Sequence, residues 1–190
     1  MSKHTVLQDI GLTLKHLLEK NIPPTLVSPD NIELESPNKA GDESVRRVSL
    51  FLFKVEENPH LKNQERHRMD HTKLKPAPLS LDLYYLITPF ANDRSDEHLI
   101  LGKVMQIVYD HAIIRVPVLR GDLEGSDDEF RVTLFSLPFE EMFQLWQSFS
   151  ERSFNLSVCY KVTPVEIDST REIDANRVVE KQDQYYQKVR

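Results

Sequence analysis

One cysteine, one tryptophan and five glycines occur in 190 residues. The lone Cys159 cannot close an internal disulfide, so nothing points to an oxidising compartment. It falls in a strand-like run and reads as a small apolar core residue. The glycines are Gly11, Gly41, Gly102, Gly121 and Gly125, and they form neither a phosphate loop nor a dinucleotide fingerprint. A Gly-x-Ser-x-Gly nucleophile elbow is also missing. No apolar run approaches the roughly 18 residues of a membrane-crossing helix. The first residues, MSKHTVLQDIG, lack the apolar core and small-residue cleavage site of a signal peptide, so folding in the cytoplasm is expected.

Basic charge is scarce where it would matter most. The net charge is −6, and residues 76–150 hold 5 Lys/Arg against 12 Asp/Glu. Residues 1–75 hold 12 and 11, and residues 151–190 hold 7 and 7. An acidic chain without a basic stripe argues against nucleic acid, whose phosphates must be neutralised. It argues equally against docking on anionic membranes. With 39% hydrophobic residues, the chain can bury the core of one domain.

Periodicity places the elements. Val6, Ile10, Leu14, Leu17 and Leu18 make one apolar stripe, predicting a helix over residues 5–20. Thr5 or Ser2 would cap it, and Pro23-Pro24 stop it. A short strand is predicted at 32–35. Residues 45–55 form a strand with Val48, Leu50 and Leu52 on one face and Phe51 and Phe53 on the other. A second two-sided strand runs over 79–88, before a break at Pro89. Strands apolar on both faces are covered on both sides. Between them, residues 60–78 are polar and basic, longer than the about 12–15 residues of an ordinary connection. A helix starting at Ser95 carries Leu101, Val104, Met105 and Val108 inward. A short strand is predicted within 113–119 and another at 130–135. A helix after Ser136 carries Phe139, Met142, Phe143, Trp146 and Phe149. The last clear strand covers 154–166, and residues 167–190 are polar and mixed in charge.

Candidate chemistry is thin. His67 and His71 lie four apart, a zinc spacing on a helix, but the run lacks helical periodicity and reads as a solvated loop. Asp110-His111 resembles part of a triad, yet neighbours on a helix do not face one another, and a helix-end histidine is the simpler reading. Asp122, Glu124, Asp127, Asp128 and Glu129 form an acidic turn whose spacing misses the EF-hand loop. The aromatic stripe on the last helix reads as core, with Trp146 at a subunit interface as the alternative.

Five collinear phrases remain: VSLFLFKVEENPHLKNQ, PLSLDLYYLITPFA, DEHLILGKVMQIVYDH, FRVTLFSLPFEEMFQLWQSF and FNLSVCYKVTPVEIDS. In order and spacing they resemble the cap, or tail-terminator, family of contractile phage-tail-like injection systems, which includes antifeeding-prophage-like and virulence-cassette particles. The resemblance runs from about Leu7 to Ser169. It implies a structural cap on the distal end of tube and sheath, stopping elongation. It also implies a hexameric ring of this chain bound to the terminal sheath ring and the inner tube. No catalytic residue, cofactor or metal is implied, and no nucleic acid or direct membrane contact. Assembly would take place in the bacterial cytoplasm, in a particle that is released or anchored. The alternatives are a baseplate or sheath adaptor of the same particle and, in a different class, a small acidic ligand-binding protein or enzyme.

The expected fold is α+β: a mainly antiparallel or mixed sheet with three helices packed on one face. Residues 1–168 form the domain, with a long loop at 60–78, and 169–190 form a polar arm. A ring subunit needs exposed segments for head-to-tail contacts. The partner-interface candidates are therefore Asn58, Leu61, Asn63, Arg66 and Arg68 in the first segment, and Arg177, Val179, Tyr185 and Tyr186 in the second.

Overall fold

Because the strand-like runs are apolar on both faces, the sheet they build needs cover on both. The computed structural model describes residues 4–39, 45–62, 67–70, 73–149, 153–171 and 173–174. Helix α1 (Val6–Asn21) is followed by β1 (Ile32–Glu33), β2 (Arg47–Glu57), β3 (His67–Asp70), β4 (Lys73–Lys75) and β5 (Leu79–Phe90). Then come α2 (Arg94–Asp110), β6 (Ile113–Ile114), β7 (Phe130–Phe135), α3 (Phe139–Gln147), β8 (Val158–Ile167) and β9 (Ile173–Asp174). The main sheet has the order β1-β2-β5-β8-β7-β6. Only the β1–β2 pair is parallel. The expected α+β class with a mixed sheet and three helices is what the chain adopts.

The helices divide between the faces, which corrects the expectation that all three share one. On the first face, Leu50 of β2, Leu83, Tyr85 and Ile87 of β5, and Tyr160 and Val162 of β8 are buried in one core. The apolar stripes of α1 and α2 complete it. On the second face, Leu86 and Cys159 pack with Trp146 and Phe149, joined by Phe51, Phe53 and Phe135. Phe149 meets Phe51 edge-on with centroids 5.7 Å apart, and Trp146 at 5.5 Å. Edge-on contacts of this kind suit the ring quadrupoles.

Several boundaries move for local reasons. Helix α2 starts at Arg94, because the Asp93 carboxylate rather than Ser95 takes the N-cap and accepts from the Ser95 N–H at 3.2 Å. Thr5 holds the N-cap position of α1, but its hydroxyl donates to Asp122 Oδ2 instead. Strand β5 passes through Pro89 to Phe90; β8 pairs with it only as far as Ile87, so no ladder bond on that side is lost. Strand β8 begins at Val158, not residue 154. Asn155 is committed upstream, its Nδ2 donating to Pro89 O at 2.9 Å and to Glu97 Oε1 at 3.1 Å. Strand β6 stops at Ile114, since Val118 N turns back to Arg115 O at 3.0 Å. The predicted strand at 32–35 shortens to two residues, and Ser49 Oγ donates to the Glu35 carbonyl beyond its end.

The 60–78 excursion carries β3 and β4, which pair antiparallel. Leu74 of β4 then pairs with Ile173 of β9. The two segments singled out as polar extensions thus meet in a small three-stranded sheet beside the main one.

A turn at Gly121 locks the acidic loop onto α1. Gly121 has φ +70°, and a Cβ there would lie 2.1 Å from Asp9 Oδ1. Arg120 N also donates to Thr13 Oγ1 at 3.0 Å. Gly121→Ala is expected to cost about 2 kcal/mol or more, from left-handed strain and displacement of Asp9. Urea denaturation would read this, and an unchanged midpoint would show that the turn is not fixed.

Candidate functional site

The sequence-predicted candidates fall at separate places in the fold. His67 sits in a strand paired with Lys75, not on a helix, so the zinc geometry of a four-residue helical spacing is not formed there. His71 lies outside the described residues. Asp110 ends α2, and His111 Nδ1 turns back to the Ile107 carbonyl at 2.9 Å. Among the described residues, no three His, Cys, Asp or Glu side chains are placed to hold a metal ion. None of the described helices is long and apolar enough to cross a membrane. Two surface depressions measure about 70 Å³, beside His16, His111 and Arg120, and about 180 Å³, between Asp128 and Pro164. Both fall below the roughly 300–1,000 Å³ of small-molecule sites.

Shifted ionisations trace to packing. Burial pushes the Tyr84 phenol up to about 12, aided by its hydrogen bond to the Glu56 carboxylate. Burial likewise raises Tyr85 and Tyr160, and carries the Cys159 thiol up to about 11. A thiol so placed is a core residue and not a nucleophile. Burial, then the neighbouring Arg120 guanidinium, lowers His16. The Lys54 ammonium, bonded to Glu56 Oε1 at 2.7 Å, holds that carboxyl below its usual range.

The most organised polar cluster lies on the α3 face of the sheet, past the end of the aromatic core. Asp82 of β5 is buried there. Its Oδ1 accepts from Asn58 Nδ2 at 2.9 Å and from the Thr163 hydroxyl, and its Oδ2 faces Lys161 Nζ at 3.5 Å. Asn58 Oδ1 accepts from the N–H groups of His60 and Leu61 at 2.9 and 3.2 Å, and its own N–H donates to Ser80 O. A bulge in β8, where Thr163 and Pro164 together oppose Asp82, shifts the β5–β8 register there. The cluster fixes where the 60–78 excursion leaves β2. Its one buried acid is engaged on both oxygens.

Of the predicted partner-interface residues, Asn58 is buried and works as this internal latch. Leu61 is half-buried at the start of the excursion. The backbone at Arg68 pairs with Leu74. Asn63, Arg66, Arg177, Val179, Tyr185 and Tyr186 lie outside the described residues. The predicted aromatic stripe divides: Trp146 of α3 and Phe149, just beyond its end, are core, whereas Phe139 and Phe143 are exposed. Helical periodicity gathers all of them on one side, and the exposed pair was missed because a nine-residue helix leaves part of that side uncovered.

A family model described as the Pvc16 N-terminal domain matches residues 9–181. The chain belongs to that family. Its fold is similar to two solved structures. One is the sheath/tube terminator of the extracellular contractile injection system PVC in its extended state, at TM-score 0.67 and 18% identity. The other is the tube-terminating cap of the anti-feeding prophage, at TM-score 0.60 and 15% identity. The likeness covers 100% and 97% of this chain but 66% and 62% of theirs, so this chain spans about two thirds of either protein. No curated protein matches it. The cap-family resemblance read from the sequence is borne out.

Asn58→Ala removes two donors to buried acceptors and an acceptor for two backbone N–H groups. It is expected to cost about 2–3 kcal/mol by chemical denaturation, since each buried group left unpaired costs about 1–3 kcal/mol. A loss under about 0.5 kcal/mol would return Asn58 to the list of surface contacts.

Proposed function

We propose that this chain is a structural cap at the distal end of the tube and sheath of a contractile injection particle, acting without chemistry. The observation that carries the reading is the match of the whole chain to two terminators of such particles. Membership in the Pvc16 N-terminal domain family supports it. A polymerising end presents a repeated surface. A ring that fits it on one side and offers a different surface outward stops addition. Each copy adds a modest contact, and avidity around the ring multiplies it. The partners proposed are other copies in a six-fold ring, the last sheath ring and the inner tube, with assembly in the cytoplasm.

The decisive experiment is negative-stain imaging of particles from a strain lacking this protein. Overlong, open-ended or unstable particles are expected. Normal-length, sealed and stable particles would overturn the assignment, and a missing baseplate would favour the adaptor reading.

The second sheet suggests how contacts reach outward. Strand β9 already pairs with β4, and the residues that follow, 178–186, are proposed to add a strand to a neighbouring subunit or to the sheath. Deleting residues 175–190 leaves β9 in place. It should weaken particle capping while the thermal midpoint of the isolated protein stays near that of the full chain. Full capping after the deletion would sink this mode.

A further inference from the structure

Two apolar surfaces remain exposed on opposite faces of the sheet. The first is the outward side of α2. Leu99 is 59% exposed and Tyr109 84%. Steps of three and four residues through Gly102 and Gln106 place both on one helix face. Glycine is the poorest helix former after proline, and Gly102 sits in mid-helix. No packing within the chain demands it, because a Cβ there would meet nothing within 4 Å. A bare backbone flanked by exposed apolar side chains suits the close approach of another molecule. Lys103, on the same side, donates to Gln106 Oε1 at 3.0 Å. Among the described residues it meets no carboxylate at ion-pair distance. Two further acids flank this side: Asp96, paired with Arg46 at 2.6 Å, and Asp110 at the last residue of the helix.

The second surface is the start of α3. Phe139 is 70% exposed and Phe143 44%, and the two rings stack at 6.2 Å. Phe154, 40% exposed, lies 6.3 Å from Phe139. Glu140 and Glu141 are exposed on the same turn and, among the described residues, have no ion-pair partner.

We propose that these surfaces meet: the Phe139–Phe143 stack of one copy packs over Gly102, between Leu99 and Tyr109, of the next. Lys103 then faces Glu140, the carboxylate next to the stack on the helix surface, and Glu141 adds negative charge one residue further on. The inference rests on the ring reading above and names the surfaces that build the ring. Surfaces on opposite faces of one subunit give a head-to-tail contact, the kind that closes by rotation. A two-fold contact of α3 with α3 would set four unpaired glutamates together, which like-charge repulsion opposes. Aromatic side chains seated against an apolar patch are also the usual anchors of interfaces.

The test uses the full chain and charge reversal. Lys103→Glu alone, and Glu140→Lys with Glu141→Lys, should each weaken self-association about tenfold by sedimentation equilibrium, whereas all three together should recover to within about threefold of wild type. Gly102→Gln should raise the thermal midpoint while weakening association, a split that a purely structural role for Gly102 would not give. A wild-type chain monomeric up to millimolar concentration, reversals without effect, or no recovery in the combined variant would each overturn the proposal. Particle imaging separates it from the cap reading. If deletion of the protein opens the particles but the reversal variants seal them normally, the cap stands and this surface pair falls.

Discussion

Strand β5 is buried over eleven consecutive residues, from Ser80 to Phe90. No strand can be buried so continuously unless helices or loops lie on both faces and strands on both edges. The rest of the molecule answers that constraint. Strands β2 and β8 flank it through nearly its whole length. Helices α1 and α2 close one face with a large aliphatic core. Helix α3 has nine residues, roughly 13 Å at 1.5 Å per residue, and cannot span the other face of a twelve-residue strand. What α3 leaves uncovered is completed at one end by the Asp82 cluster.

That cluster explains how a carboxylate can lie in the middle of the sheet. A buried charge is tolerated only when paired and hydrogen-bonded. Asp82 has an amide from the segment after β2, and a hydroxyl and an ammonium from β8. Its requirement for donors ties the exit of β2 to the bulge in β8. The polar half of the α3 face is thus a joint between the end of β2 and the middle of β8. The Arg94–Glu97–Asn155 group does the same at the other end, holding the approach to β8 against α2.

Much of this was legible in the sequence. Alternation at Leu83, Tyr85 and Ile87 against Tyr84 and Leu86 announced a two-sided strand, and the stripe from Val6 to Leu18 announced α1. Periodicity says which side of a helix seeks a core, but not which face of the sheet offers one, so α3 was assigned to the wrong face. The role of Asn58 was equally hidden. An Asn-Pro step reads as a turn, and its burial depends on Asp82, 24 positions away, and Thr163, 105 away. The late start of β8 has the same origin, since Asn155 is claimed by Pro89 and Glu97 across the fold. In each case a tertiary partner overrode a local pattern.

The division of labour between regular and irregular parts bears on function. Among the described residues, the shifted ionisations are explained by burial or by a neighbouring charged or hydrogen-bonded group. The surface, by contrast, is asymmetric. One face of the sheet ends in a helix with a bare glycine and a lysine that, among the described residues, meets no carboxylate; the other ends in stacked phenylalanines on a turn that carries two glutamates. A chain with a single self-complementary patch forms closed pairs. Two unlike patches on opposite faces favour a directional series of copies, and a directional series that closes on itself has no free end. A surface that stops growth must have that property, because a cap with an unsatisfied patch of its own would recruit further copies instead of ending the tube.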